Sequence, residues 1–162
     1  MAELRLTRVA CPADLERLEG ALAALSADLG DPHAAGRDSL ARALFGPNPA
    51  AHGLLAQAGD DTRGAALFSP VYSTVKGMAG VYVSDLWVAP AARGQGLGRR
   101  LLAAVADEAG ALWGAGWLKL AVYDHSTAAQ AFYRRLGFAP AQGQQELRLE
   151  AAGIAALRRR TA

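Results

Sequence analysis

"VSDLWVAPAARGQGLGRRLL", residues 83–102, is the stretch on which the reading of this chain turns. It passes from an apolar segment through Pro90 into a loop with glycine at every second position, Gly94, Gly96 and Gly98. Arg93, Arg99 and Arg100 flank the glycines, and leucines follow at helical spacing. Glycines let a backbone turn tightly and let a ligand approach without meeting a Cβ. A helix start leaves its first N–H groups without internal partners, at the positive end of the dipole. The stretch therefore predicts a cradle for an anion, with phosphate as the natural guest. A Walker loop would need Lys-Ser/Thr after the last glycine, where this chain has Arg99–Arg100. A dinucleotide loop would need G-x-G-x-x-G after the first strand, and neither condition holds.

The segment before the loop carries a second signal. In "AGVYVSDLWV", residues 79–88, Val81 and Val83 share one alternation, whereas Leu86 and Val88 fall on the other. One extra residue in a strand produces such a slip, which predicts a β-bulge near Ser84–Asp85. Upstream, "LRLTRV" (4–9) reads as a strand. Leu15, Leu18, Leu22, Leu25 and Leu29 then place one apolar stripe on a helix whose first turn holds Pro12. A shorter helix fits "GRDSLARALFG", stopped by Gly46 and Pro47. Strands are expected over 53–58 and 63–72.

Downstream, residues 96–112 predict a helix with Leu97, Leu101, Val105 and Leu112 inward. "WLKLAV" follows as a strand, so strand, helix and strand form a parallel unit. Ser126 is expected to cap a helix over "STAAQAFYRRLGF" that Gly137 closes. Residues 145–150 read as a last strand and "GIAALRRR" as a terminal helical turn or tail.

Composition bounds the function. The 162 residues predict one domain over 1–162, and 52% hydrophobic with 20% charged residues is ordinary for a globular protein. A net charge of +2 gives no basis for nucleic-acid binding. No signal core or long uncharged apolar run is present, so a cytoplasmic protein without a membrane partner is expected. Cys11 is the one cysteine, which excludes an intramolecular disulfide and fits a reducing compartment. It reads as a nucleophile or as a small half-buried residue at a helix start.

The pattern Arg93-x-x-Gly96-x-Gly98 after "LWVAP" resembles the pyrophosphate loop of the GNAT acetyltransferases. "YDHSTAAQAFYRRLGF" resembles that family's second signature at Ser126, Ala129, Phe132, Tyr133, Leu136, Gly137 and Phe138. Both signatures stand in the family order. "YSTVKGMAGVYVSDLWVAPAARGQGLG" and "LFGPNPAAHGLLA" are similar to the diamine (spermidine/spermine) acetyltransferase branch. The chain departs from that branch at Ser84, where a Glu is usual, and at Ser126, where the family has Asn.

The resemblance implies an α/β (α+β) GNAT fold. Its sheet is mixed, mostly antiparallel and twisted, with helices on both faces and a splayed parallel strand pair. It implies acetyl-CoA as cosubstrate and no metal. The pantetheine arm would pair with the backbone of Leu86, Trp87 and Val88. The pyrophosphate would lie on Arg93, Gly94, Gln95, Gly96, Leu97, Gly98 and Arg99, and Ser126 and Ala129 complete the cofactor contacts. Tyr133 would be the general acid toward the sulfur. A homodimer is also implied.

Acetyl transfer to an amine needs a neutral nucleophile and a protonated leaving group. Asp85, at the expected bulge, either accepts the amine's proton or pairs with an arginine. His125 has a suitable intrinsic pKa but also reads as a loop histidine. Asp28, Asp31 and Ser84 are the substrate-side candidates, able to attract a cation or serve as solvated surface. The expected activity is N-acetylation of a primary amine on a small cationic molecule, by direct attack in a ternary complex. Protein N-acetylation and a CoA-binding regulatory module are the alternatives.

Overall fold

The computed structural model describes residues 3–159. The chain divides into two compact units, Met1–Tyr123 and Asp124–Ala162. The first unit runs β1 (Leu4–Arg8), α1 (Pro12–Leu29), α2 (Arg37–Phe45), β2 (His52–Ala58), β3 (Asp61–Ser73) and β4 (Met78–Val88). A 3-10 turn (Pro90–Ala92), α3 (Leu97–Trp113) and β5 (Leu118–Leu120) follow. The second unit holds α4 (Thr127–Arg135) and α5 (Ala151–Arg158). Among the described residues no helix is long and apolar enough to cross a membrane.

The sheet has the order β1-β2-β3-β4-β5. Neighbours are antiparallel except β4 and β5, which are parallel. This is the mixed, mostly antiparallel architecture that the two signatures implied. One face carries α1 and α2, whose Leu15, Leu18, Leu22, Leu40 and Leu44 pack on Leu55, Ala65, Leu67 and Trp87. The other carries α3, whose Leu97 and Leu101 pack on Ala56, Leu4, Leu6, Leu86 and Val88. Gly64 lets α3 lie close to the sheet: a Cβ there would stand 2.8 Å from Leu101 Cδ1.

The bulge falls where the alternation slipped. Leu67 pairs with Asp85 and Phe68 with Val83, so Ser84 is the extra residue on β4. Phe68 lies edge-on to Trp113 of α3, which puts its partner Val83 on the α3 face with Leu86 and Val88. If Ser84 took a regular place in the ladder, Val83 and Leu86, three residues apart, would point to opposite faces. The Ser84 hydroxyl donates to Leu67 O at 3.2 Å.

Four expectations change. Leu112 is 41% exposed because Ala109 and Trp113 continue the inward stripe and the leucine falls beside it. The strand expected to reach Val122 pairs only over Leu118–Leu120, because the β4 bulge removes its neighbour. Residues 145–150 form no strand: Leu147 is 88% exposed, with no partner strand among the described residues. Cys11 is exposed rather than half-buried. The expected terminal turn is the helix α5, and its last residue, Arg160, lies outside the described residues.

Deleting Ser84 removes the looped-out residue and leaves Val83 and Leu86 two apart, so both keep the α3 face without a bulge. The deletion variant is therefore expected to keep both cores in register and to lose under about 2 kcal/mol in urea unfolding. Ser84→Ala, which removes only a solvent-exposed hydrogen bond, should cost under about 1 kcal/mol. A loss of about 3 kcal/mol or more in the deletion variant, the cost of removing one or two large core side chains, would show that Ser84 is not the looped-out residue that keeps the register.

Candidate active site

The site in the first unit is built around the second half of β4. On one edge, Leu86, Trp87 and Val88 pair with Ala66, Ala65 and Gly64 of β3. On the other edge, pairing with β5 runs through Val81–Leu118 and Tyr82–Lys119 and ends at Val83–Leu120. Beyond the bulge the two parallel strands therefore separate. Strand geometry aims every second backbone pair of residues 86–88 at that gap.

The chain leaves β4 through Pro90–Ala92 and enters the glycine loop. Gly94 and Gly96 have φ of 74° and 77°, the left-handed region that glycine adopts at little cost. A Cβ built on either would meet nothing within 4 Å, so the loop's face is open. The first helical bond of α3 joins Arg100 N–H to Gly96 O at 3.2 Å. The amides of Leu97, Gly98 and Arg99 precede it and have no carbonyl to accept them within the helix. Arg99 and Arg100 are exposed beside them, and the Gln95 amide folds back to donate to Ala91 O at 2.9 Å.

Arg93 does something the motif did not announce. Its Nε donates to Val88 O at 2.9 Å and its Nη2 to Asp28 Oδ2 at 2.6 Å. It thereby ties the C-terminal end of α1 to the end of β4. Asp28 is paired, and Asp31 accepts from the Tyr123 hydroxyl at 2.9 Å.

Asp85 follows the bulge and shares its face with Leu67 and Trp87, toward α1. Burial raises its pKa above the usual 3.8, opposed by the neighbouring Ser84 hydroxyl and by the field of His33. Two residues on, the Trp87 indole Nε1 is buried with no hydrogen-bond partner among the described residues. The family pattern points to the backbone of Trp87, whereas its unpartnered side-chain N–H is a property of the folded packing alone. Among the described residues no cluster of three or more metal-ligating side chains occurs.

Ser126, Ala129 and Tyr133 stand in the second unit. Ser126 takes the N-cap position of α4, but its hydroxyl makes no capping bond. Tyr133 is half-buried, its ring 5.1 Å from Phe132 and 5.5 Å from Phe138 between centroids. Burial pushes its hydroxyl above 10.0. Gly137, at φ 94°, turns the chain back so that Phe138 N–H reaches Tyr133 O at 3.1 Å. The signature's Tyr, Gly and Phe thus form one local packing unit. His125 sits in the turn before α4 and is exposed.

Residues 22–138 match the family model for "Acetyltransferase (GNAT) family". The chain belongs to the GNAT acetyltransferase family. It is an N-acetyltransferase on that footing. The chain is 33% identical over 117 residues to a thialysine N-epsilon-acetyltransferase of Sus scrofa, covering 65% of this chain and 68% of that one. A Bos taurus protein of the same name is 36% identical over 101 residues, covering 57% of this chain and 58% of its own length. In fold, the chain is similar to an integron cassette protein of V. cholerae (TM-score 0.75, 22% identity, 97% and 98% of the two chains). It is similar also to a ribosomal-protein-alanine N-acetyltransferase of Brucella melitensis (TM-score 0.72, 20% identity, 91% and 100%).

The Asp85 carboxyl gives this acetyltransferase a pH signature. Its folded pKa lies above the unfolded value of about 3.8. The folded state therefore retains a proton that the unfolded chain releases, and stability falls as pH rises through that window. Asp85→Asn is expected to melt at a higher temperature than the parent at neutral pH. The gap should close below pH 3.8, where both states of the parent are protonated. An Asn variant that melts lower at neutral pH would show that Asp85 is held by favourable contacts instead.

Proposed function

We propose that this acetyltransferase moves the acetyl group of acetyl-CoA to a primary amine of a small cationic molecule, by direct attack in a ternary complex. The observation that carries this reading is the open edge of β4 beyond Val83, running into the glycine loop at the start of α3. An extended amide-bearing arm fits a strand edge, and a pyrophosphate fits unpartnered helix N–H groups. The open space at Gly94 and Gly96 supports that fit.

Bound acetyl-CoA supplies a thioester already activated toward attack. The chain's own groups do the rest. The backbone of Leu86, Trp87 and Val88 orients the arm, and the amides of Gly94 to Arg99 hold the pyrophosphate. Ser126 and Ala129 add contacts from the second signature. Arg93 serves the loop by fixing its base to Val88 and Asp28. Asp85 accepts the amine's proton, and its raised pKa makes it a stronger base than an ordinary carboxylate. Tyr133 protonates the leaving sulfur, and its raised pKa keeps the proton available at neutral pH. We assign Asp31 and Ser84 to the substrate side, together with Asp28, whose charge is offset by Arg93. The thialysine N-epsilon-acetyltransferases among its relatives support a cationic amine.

We take residues 1–162 as one acetyltransferase domain, since the family match spans both compact units. The single cysteine supports a reducing cytoplasm. Exposed Leu147, Leu149 and Leu157 support a homodimer.

A CoA-release assay over an amine panel tests the reading. Lysine, thialysine and 1,3-diaminopropane should outpace glutamate, and the preference should weaken with salt because the attracting carboxylates are partly solvated. CoA binding by calorimetry without release on any amine would favour a regulatory CoA-binding module instead. Tyr133→Phe removes one hydroxyl and should lower kcat roughly 10- to 1000-fold with CoA affinity nearly kept. Full turnover in that variant would return Tyr133 to a packing role.

A further inference from the structure

The end of the parallel strand pair away from the gap is closed by two glycines that the reaction as described does not use. A Cβ on Gly80 of β4 would overlap the indole of Trp117, the residue that leads into β5. A Cβ on Gly116 would stand 2.6 Å from Sδ of Met78, the first residue of β4. Each segment thus supplies a glycine, and a side chain of the other segment fills the space it leaves. Backbone bonds join the same residues. Val81 N–H donates to Trp117 O at 2.9 Å, and Gly116 N–H donates to Ala79 O at 3.0 Å. The Trp117 Nε1–H reaches Met78 O at 3.4 Å, and the Lys76 ammonium lies over the indole, 5.8 Å from its centre.

Little else fixes the direction in which β5 leaves β4. Strand β5 is the edge of the sheet, and it pairs with β4 only from Val81–Leu118 to Val83–Leu120. Parallel pairs are the less stable kind per residue. The bulge then ends the pairing and the strands separate. A strand this short, held at one end, swings about that end, so the packing there sets the width of the gap. Met78 is 42% exposed and Trp117 is half-buried, so neither belongs to the buried core. Their contribution is the shape of the strand pair rather than a large share of buried area.

We propose that the interlock of Trp117 on Gly80 and Met78 on Gly116 sets the angle at which β4 and β5 part, and with it the width of the seat for the pantetheine arm of acetyl-CoA. This rests on the reading of the open β4 edge as the cofactor's seat. Trp117 and Gly80 are positioning residues, acting through the backbone of the two strands. The arm has to lie within hydrogen-bond distance of residues 86–88 and still clear β5. A gap that is too narrow excludes it, and one that is too wide leaves it without a second wall. Hydrogen bonds weaken steeply when they are bent or stretched, so a small swing of β5 costs cofactor affinity before it costs the fold.

Calorimetry with CoA, below the melting temperature of each variant, tests the interlock. Trp117→Ala removes the indole, and Gly80→Ala drives it off the strand. Each should weaken CoA binding roughly tenfold, about 1.4 kcal/mol. In the double variant the new Cβ has room, so its loss should equal that of Trp117→Ala alone, and additive losses would overturn the interlock. Trp117→Phe keeps a ring on Gly80 and should retain most of the parent's affinity. In turnover with the fastest amine of the panel above, KM for acetyl-CoA should rise while KM for the amine and kcat stay near the parent's. Leu40→Ala opens a cavity under α2, away from the strand pair, and should lower stability with CoA affinity unchanged. Equal weakening of CoA binding by Leu40→Ala would return Trp117 to a packing role and overturn the proposal. Should Gly80→Ala fail to fold, Trp117→Ala at its half-buried position carries the test. Parent affinity in Trp117→Ala would overturn the interlock and leave the cofactor's seat standing. A parent protein that binds no CoA would overturn the seat and the interlock together.

Discussion

The insertion of Ser84 into β4 is the constraint on which the first unit depends. A strand in a sheet covered on both sides must keep its large apolar residues in step with two different cores. Val81 and Val83 are in step with Leu86 and Val88 only because one residue is looped out between them. The same residue ends the pairing of β4 with β5 at Val83–Leu120. It also turns the next side chain, Asp85, toward α1. Register, an open strand edge and a half-buried carboxyl thus come from one irregularity. Bulges are a usual way to re-aim side chains next to active sites.

The second organising contact is the Arg93 clamp. Both partners are about half exposed, with side chains 51% and 42% accessible. Pairs of that kind contribute on the order of 0–1 kcal/mol. Its value lies in placement. Donating to Val88 O and to Asp28 together, Arg93 holds the C-terminal end of α1 at the point where the glycine loop begins. The loop itself has no side chain to stiffen it at Gly94, Gly96 or Gly98, so its entry must be held from outside. The helix that follows is anchored by fully buried Leu101 and Val105. The loop is therefore bounded by an anchored helix on one side and a clamped turn on the other, which is how a flexible glycine run becomes a preorganised cradle.

In the second unit the tyrosine of the signature owes its setting to local chain geometry. Gly137 adopts a conformation closed to other residues, and that turn brings Phe138 against the Tyr133 ring. Burial alone accounts for the raised pKa of its hydroxyl. Further along this unit Leu147 and Leu157 are well exposed.

Much of this was legible along the chain because it is local. Helix stripes, the glycine loop and the slip of alternation at Ser84–Asp85 depend on residues within one or two turns of each other, and periodicity reports them directly. The two signatures carried the fold for the same reason: the first is a strand-turn-helix piece and the second a turn-helix-turn piece, and their glycines have local tasks. What the sequence could not determine is set by neighbours distant in the chain. Asp28 and Arg93 are 65 residues apart and read separately as a substrate acid and a phosphate cation, yet they neutralise each other. Val122 and Leu149 alternate as strands should, yet strand formation needs a partner, and the bulge removes one while the other is absent among the described residues. The Asp85 carboxyl gained its raised pKa from burial under α1, and His33 gained its orientation from a serine on that helix. Hydrogen bonds, fields and desolvation act through space, so only the folded chain decides them.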